Sequence, residues 1–179
     1  NRAEQISNEA LESLHNNLPE IKNVSEYDIT TQPEDVPSFL IDPNVPMPKI
    51  NLDGIEYIAE ITIPTLGLDL PVCSLYSDAN LKIDDEENLR SVLKAVYSSS
   101  YTDDLIICAH NYKKHFKYLK SLNEGDIIYL LDMNGNLFTY EMVEMDILDM
   151  EGIEYDVTAR LFQENEQIYW TNRQKNVIV

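Results

Sequence analysis

Residues Leu105–Asp126 read LIICAHNYKKHFKYLKSLNEGD, and the order of features in this stretch decides the fold. Leu105–Ala109 is a short apolar run with the length and β-branched content of a buried strand. It delivers a titratable ring, His110, at its polar end. Lys114–Leu122 follows as a short amphipathic helix, with Phe116, Leu119 and Leu122 on its inward side. Gly125-Asp126 then makes a turn that opens another strand.

Working outward, the pattern is mostly β. Downstream, Ile127–Leu131 and Leu137–Leu148 read as two long strands joined across Asp132–Asn136, where Asn134-Gly135 is a strong hairpin signal. Further strands are expected at Ile153–Thr158 and Val177–Val179. Upstream, Ile55, Tyr57 and Ala59 alternate with Glu56, Ile58 and Glu60, and Pro64 and Gly67 place a turn between strands Tyr57–Ile63 and Leu68–Ser74. Asp84–Val96 reads as a helix, with Leu89, Val92, Leu93 and Val96 in one apolar stripe behind an acidic first turn. Many short strands with few helices predict a mainly β fold, a closed or nearly closed barrel.

The first fifty residues differ in character. Ile6, Ala10, Leu11 and Leu14 stand at helical spacing, and Pro19 should end that helix. From there to Pro48 the chain is acidic and carries Pro33, Pro37, Pro43, Pro46 and Pro48. Such a composition predicts an extended arm, either a stalk or a strap on the flank of the barrel. The expected organisation is therefore a helix and Pro-rich arm over residues 1–50, followed by the β-barrel domain over residues 51–179.

A chain of 179 residues, 44% hydrophobic, suits one such domain with an ordinary core. Thirteen Lys and Arg face 32 Asp and Glu, a formal net charge of −19. That excess repels phosphate backbones and anionic lipid, which argues against nucleic-acid binding and favours neutral or cationic partners. Two cysteines, Cys73 and Cys108, are too few for a disulfide framework. No apolar run reaches the roughly 18 residues of a membrane span, and the start lacks the charged and apolar regions of a signal peptide. Because Asn1 is not an initiator residue, the expectation is a fragment from which a targeting segment is missing.

The motif around His110 resembles the core of the sortases, the cysteine transpeptidases of Gram-positive surfaces. In that family a strand ends in Gly-His or a close variant, and a Phe and a Leu-x-x-Leu-x-x-Gly-Asp stretch follow. Ala109-His110 stands for the first, with Ala in place of the usual Gly, and Phe116, Leu119, Leu122, Gly125 and Asp126 supply the rest. Upstream, ITIPTLGLDLPV at Ile61–Val72 is similar to the family's opening pair of strands, and SDANLK at Ser77–Lys82 to the Asn-Leu segment after them. The resemblance covers about residues 55–148.

It implies a mechanism with three parts. A cysteine thiolate attacks the Thr–Gly carbonyl of an LPxTG-like C-terminal sorting signal and forms a thioacyl enzyme. A histidine protonates the leaving amine and later activates the incoming amine of peptidoglycan or a pilin, while an arginine steadies the oxyanion. The thiolate is the reactive species, and developing negative charge requires a fixed donor. His110 matches the acid/base position. The cysteine belongs on a penultimate strand reading apolar-x-Thr-Cys, and the match here is Asp156-Val157-Thr158-Ala159. Trp170-Thr171-Asn172-Arg173 follows, then the apolar Val177–Val179, nearest to the class A pattern. This alignment puts Ala159 where the nucleophile belongs and Arg173 at the oxyanion position. It also makes the loop between Leu148 and Val157 about ten residues shorter than the family's. A rival alignment keeps the loop length, makes Trp170 the counterpart of the cysteine and leaves no arginine in register.

An alanine cannot form a thioester, so the chain is expected to be inactive or nearly so. A deliberate Cys→Ala substitution, a degenerate relative that binds without catalysing, and residues lost near the loop are the three explanations. The alternative function is a non-catalytic surface module that binds a peptide or an envelope component. The resemblance also implies a location on the extracellular face of the membrane, reached through a segment absent from this chain, and no cofactor.

Other constellations have simpler readings. Cys108 and His110, two apart on one strand, share a face, but a thiol in a buried strand is usually inert packing. Cys73 reads as core, His15 as solvated in the arm and His115 as exposed on the polar side of its helix. Asp84-Asp85-Glu86-Glu87 could bind calcium, though an acidic helix start explains it. Asp132-Met133-Asn134-Gly135-Asn136 looks like part of an EF-hand loop, but it lacks the closing glutamate and the hairpin suffices.

Overall fold

The computed structural model describes residues 2–24, 37–42, 45–74, 92–94, 101, 105, 107–109, 113–149, 153–161 and 174–178. Helix α1 (Arg2–Asn17) and strand β1 (Lys22–Asn23) lead to a short helix α2 (Ser38–Ile41) and then to β2 (Ile50–Leu52) and β3 (Ile55–Ile63). They are followed by β4 (Leu68–Cys73), β5 (Val92–Lys94), β6 (Ile107–Cys108), β7 (Ile127–Asp132), β8 (Asn136–Asp149), β9 (Ile153–Leu161) and β10 (Gln174–Ile178). The fold is mainly β. Among the described residues the main path of the sheet runs β10-β9-β8-β7-β3-β4-β5-β6, with β2 added beside β3 and β1 beside β8. That path is not closed by pairing, yet its end strands β6 and β10 approach within 8 Å between Cα atoms. The sheet therefore curls most of the way round its core.

The hairpin signals act as expected. Pro64–Leu66 forms a single 3-10 turn capped by Gly67 at φ 58°, so β3 folds back on β4 from Ile63↔Leu68 onward. Asn134-Gly135 joins β7 to β8, with Leu131↔Leu137 as the first pair beyond the turn.

The interior holds Ile61, Ile63, Leu70, Val72, Ile128 and Leu130 from the central strands, with Phe116 and Leu119 from the 3-10 turn Phe116–Ser121. Each of these side chains is nearly removed from water, worth about 1.5–3 kcal/mol apiece against exposure. A smaller cluster lies on the opposite face of the sheet, where Leu14 of α1 packs on Tyr57, Cys73 and Met133. So α1 covers the outside of the barrel, and Cys73 is core as read. The helix runs two residues earlier and three later than the periodicity of residues 4–14 indicates, ending two residues before Pro19.

Two expectations need correction, and a third is refined. Strand β3 does not alternate regularly, because Tyr57 pairs with Cys73 and Ala59 with Val72, which leaves Ile58 as a bulge. Ile58 and Ala59 are consequently both interior, and Tyr57 lies on the outer face. Val92–Lys94 is a strand rather than the end of a helix: it lies parallel to β4 and antiparallel to β6. Backbone pairing on both edges outweighs the helical spacing of its apolar residues; residues 84–91, 95 and 96 lie outside the described residues. The stretch after His110 is a short helix as expected, of the 3-10 type and spanning Phe116–Ser121, with Phe116 and Leu119 buried.

The arm is anchored at several points: β1 pairs with β8, and Val24 and Phe39 are both buried in the barrel core. Phe39 of α2 is 3% exposed and stacks on Tyr101 with ring centroids 4.4 Å apart, and Phe138 lies 5.4 Å from it. An aromatic side chain from the Pro-rich segment thus belongs to the barrel core.

Candidate active site

The motif that follows His110 in sequence is built to hold a segment still. Leu119 and Leu122 are buried in the core, and Gly125 adopts φ 91°, a left-handed conformation that opens the turn. Asp126 accepts a hydrogen bond from the Asn123 backbone N–H at 2.7 Å and another from the Thr65 hydroxyl at 2.9 Å. Backbone bonds from Gly125 N–H to the Met142 carbonyl and from Met142 N–H to the Asp126 carbonyl, both 2.9 Å, tie the same turn to β8. The Gly-Asp pair therefore clamps the 3-10 turn between the Pro64–Leu66 turn and β8.

His115 is 2% exposed, not solvated as its position among lysines implies. The tight turn Lys113–Phe116 tucks it into a cleft between Ser7 and Asn8 of α1, Leu68 and Asp69 of β4, and Tyr118. Lys114 Nζ lies 2.7 Å from Glu4 Oε1, so α1 also reaches this turn, and that ammonium holds the Glu4 carboxyl below its ordinary value.

The three residues singled out for chemistry are described unequally. Ala159 lies on β9, in register with Met142 of β8 on one side and Lys175 of β10 on the other. His110 and Arg173 lie outside the described residues, as does Trp170. Their sequence neighbours are described: β6 ends two residues before His110, and β10 begins one residue after Arg173. Gln174, the first residue of β10, is the register partner of Arg160, next to Ala159. Strands β9, β10 and β6 are thus consecutive around the barrel and carry or adjoin all three positions.

The constellation at the β7–β8 hairpin is structural. Asp132 has no exposed surface, and its carboxylate accepts bonds from the backbone N–H groups of Asn134 and Asn136, from Asn136 Nδ2 and from the Tyr101 hydroxyl. All these contacts are protein donors, which is the hairpin reading of the Asp132–Asn136 stretch. The acidic run Asp84–Glu87 lies outside the described residues. Among the described residues no group of three or more His, Cys, Asp or Glu is arranged to hold a metal ion.

A family model for the sortase domain matches residues 61–178. The chain belongs to the sortase family. Sortases are transpeptidases that act at the cell surface on proteins bearing sorting signals. Among solved structures, Sortase C1 of the GBS Pilus Island 1 is 17% identical, covering 73% of this chain and 78% of its own, with a TM-score of 0.48. Group B Streptococcus Pilus Island 1 Sortase C2 is also 17% identical over 65% of this chain and 72% of its own, with a TM-score of 0.46. A lid mutant of Sortase A from Corynebacterium diphtheriae is 18% identical over 68% of this chain and 79% of its own, again at 0.46. No curated protein matches the sequence. Among the described residues no helix is long and apolar enough to cross a membrane.

Sequence reasoning missed one pair of ionisable groups altogether. Glu60 of β3 is 5% exposed, and its Oε2 lies 2.5 Å from His15 Nε2 of α1. In sequence both look like solvated polar positions, Glu60 as the outward half of an alternating strand and His15 as part of the arm. No local signal marks them, because the contact spans 45 residues.

Proposed function

We propose that this sortase domain is built for cysteine transpeptidation of an LPxTG-like sorting signal onto a peptidoglycan or pilin amine, with its nucleophile position occupied by Ala159. His110 serves as the acid/base and Arg173 as the oxyanion donor. The observation that carries the reading is the adjacency of β9, β10 and β6 inside the sortase match, since these strands bear Ala159 or adjoin the other two residues. Without a thiolate no thioacyl intermediate forms, so this chain turns over little or no substrate. Recognition of the sorting peptide is retained.

The test is cleavage and transpeptidation of a small panel of fluorogenic sorting peptides by this chain and by its Ala159→Cys variant. Activity confined to the variant, and lost again when His110→Ala is added, is the expected result. No activity from the variant on any peptide, with the parent binding none of them, would overturn the assignment.

A further inference from the structure

We propose that His15 and Glu60 form a proton-dependent latch that holds the C-terminal end of α1 on the outer face of the sheet, closed in mild acid and loosened as the solution turns alkaline.

The geometry starts from β3. The bulge at Ile58 turns Glu60 and Thr62 to the outer face, opposite Ala59 and Ile61. An outward glutamate is normally wet, but Glu60 is covered and meets the ring of His15 from the last turn of α1. The His15 side chain itself is 51% exposed, so the contact sits at the rim of the helix footprint, where protons exchange freely with solvent. Below the latch, the outer faces of β3, β7 and β8 form a shallow cleft lined by Glu60, Thr62, Tyr129, Leu131, Leu137 and Thr139, with Asn23 of β1 at one side. The titratable or charged groups facing Glu60 among the described residues are His15 from α1, Asp69 from β4 and Tyr129 from β7; β8 and β1 present Leu137, Thr139 and Asn23.

Charge decides the direction. Burial, and then the neighbouring Asp69 carboxylate, push the Glu60 carboxyl up to about 7, against the opposing pull of His15. With the helix lifted, Glu60 would lose this cover and fall from about 7 toward its ordinary 4.5, with Asp69 on the adjacent strand still holding it above that value. The closed form therefore binds more protons than the open form between these two values. Closure is favoured most in acid, and the advantage is lost as pH rises through about 7. At mildly alkaline pH an ionised Glu60 is left covered beside the Asp69 carboxylate, which is the arrangement burial penalises most.

The rest of α1 is held by contacts that do not titrate in this range. Leu14 is buried against Tyr57 and Cys73, and Glu4 pairs with Lys114 at the other end. Loosening at His15 is therefore local fraying of the last turns and of the approach to β1, not release of the helix as a whole.

The experiment is amide hydrogen exchange of the full chain, followed by mass spectrometry from pH 5.5 to 8.5 and corrected for the intrinsic pH dependence of exchange. Under conditions where protection reports the opening equilibrium, the peptide over residues 11–20 should lose about tenfold in protection between the two limits. That is well below the ceiling set by Glu60's displacement, because the partner is half solvated. The β7–β8 hairpin should not change. Glu60→Gln, which keeps the shape and a hydrogen bond but cannot ionise, should hold residues 11–20 at the acidic level throughout. A flat profile in the parent chain, or the same slope in Glu60→Gln, would overturn the proposal. His15→Gln supplies a second variant: it should lower protection in mild acid while leaving the hairpin intact, and unchanged protection there would equally sink the latch.

Discussion

The hydroxyl of Tyr101 donates to Asp132 Oδ2 at 2.5 Å, in a spot where Asp132 has no solvent exposure and Tyr101 has 3%. A carboxylate so placed is tolerable only because every side of it meets a donor. The bond also joins a residue outside the sheet to the tip of the β7–β8 hairpin. Tyr101→Phe keeps the stacking on Phe39 and removes only the donor, so it should cost about 2 kcal/mol, the scale of a bond to a charged acceptor. Asp132→Ala strands two backbone N–H groups as well and should cost about 3 kcal/mol or more. Urea unfolding at neutral pH would measure both, and equal losses would show that the tyrosine is the only donor that matters.

Phe39 gives a second prediction. Its ring packs against both Tyr101 and Phe138, although its neighbours in sequence are acidic and Pro-rich. Phe39→Ala should lower stability by about 3–4 kcal/mol, the usual loss for a buried aromatic. Phe39→Leu should recover roughly half. If the arm were only a spacer, both substitutions would leave the thermal midpoint where it was.

These two contacts also show where sequence reading succeeds and where it runs out. Elements defined by local chemistry were legible: Asn134-Gly135 makes its hairpin, Gly67 its left-handed cap, and Leu119, Leu122 and Asp126 their anchor. What depends on distant partners was not. Val92–Lys94 has helical spacing and becomes a strand because β4 and β6 offer edges on both sides. His115 sits among lysines and is buried because α1 and β4 close over it. Phe39, one of two aromatic residues in the acidic arm, carried a weak signal, and Glu60 carried none. At the candidate site, the sequence proposes the residues and the fold carries one of them, Ala159, on β9. Ala159 is placed between β8 and β10, and the placement of His110 and Arg173 rests on their neighbours.

Two glycines separate backbone strain from steric contact. Gly54 at φ 84° has open space where a Cβ would stand, whereas a Cβ on Gly135 at φ 82° would fall 2.5 Å from the Glu20 carbonyl oxygen. Gly54→Ala should therefore cost only the conformational term, about 1 kcal/mol. Gly135→Ala should cost at least about 1 kcal/mol beyond that and weaken the bond from Lys22 N–H to the Gly135 carbonyl, 2.7 Å long. Denaturation midpoints and exchange of the Lys22 amide would read the two effects separately.

Alkaline behaviour follows from Tyr101 and Tyr140. Burial raises both hydroxyls above the ordinary 10.0, and for Tyr101 the Asp132 carboxylate adds to it. An unfolded chain ionises these groups near 10 while the folded one keeps their protons, so the stability they contribute is full below pH 10 and falls as pH rises beyond it. Tyrosinate absorbance should therefore show at least two of the eleven tyrosines silent until the fold gives way. Tyr140→Phe should remove one silent group and shift the alkaline unfolding midpoint upward. A smooth titration of all eleven in the native state would contradict the burial of both.

Thiol chemistry can decide between the two alignments without any substrate. A cysteine restored at the true nucleophile position should feel the His110 imidazolium, which lowers a thiol's pKa and supplies thiolate in mild acid. At pH 6 such a thiol should alkylate with iodoacetamide about tenfold or more faster than one with an ordinary pKa near 8.5. Ala159→Cys and Trp170→Cys would be compared with the parent chain, in which buried Cys73 and the β6 residue Cys108 set the background. The expected outcome is a fast, acid-tolerant thiol in Ala159→Cys that returns to ordinary reactivity when His110→Ala is added, and an ordinary thiol in Trp170→Cys. The reverse pattern would move the nucleophile to position 170 and leave Arg173 without its role. If neither cysteine responds to His110, that histidine does not face the position where the thiolate belongs, and the sortase fold is present here without a competent site.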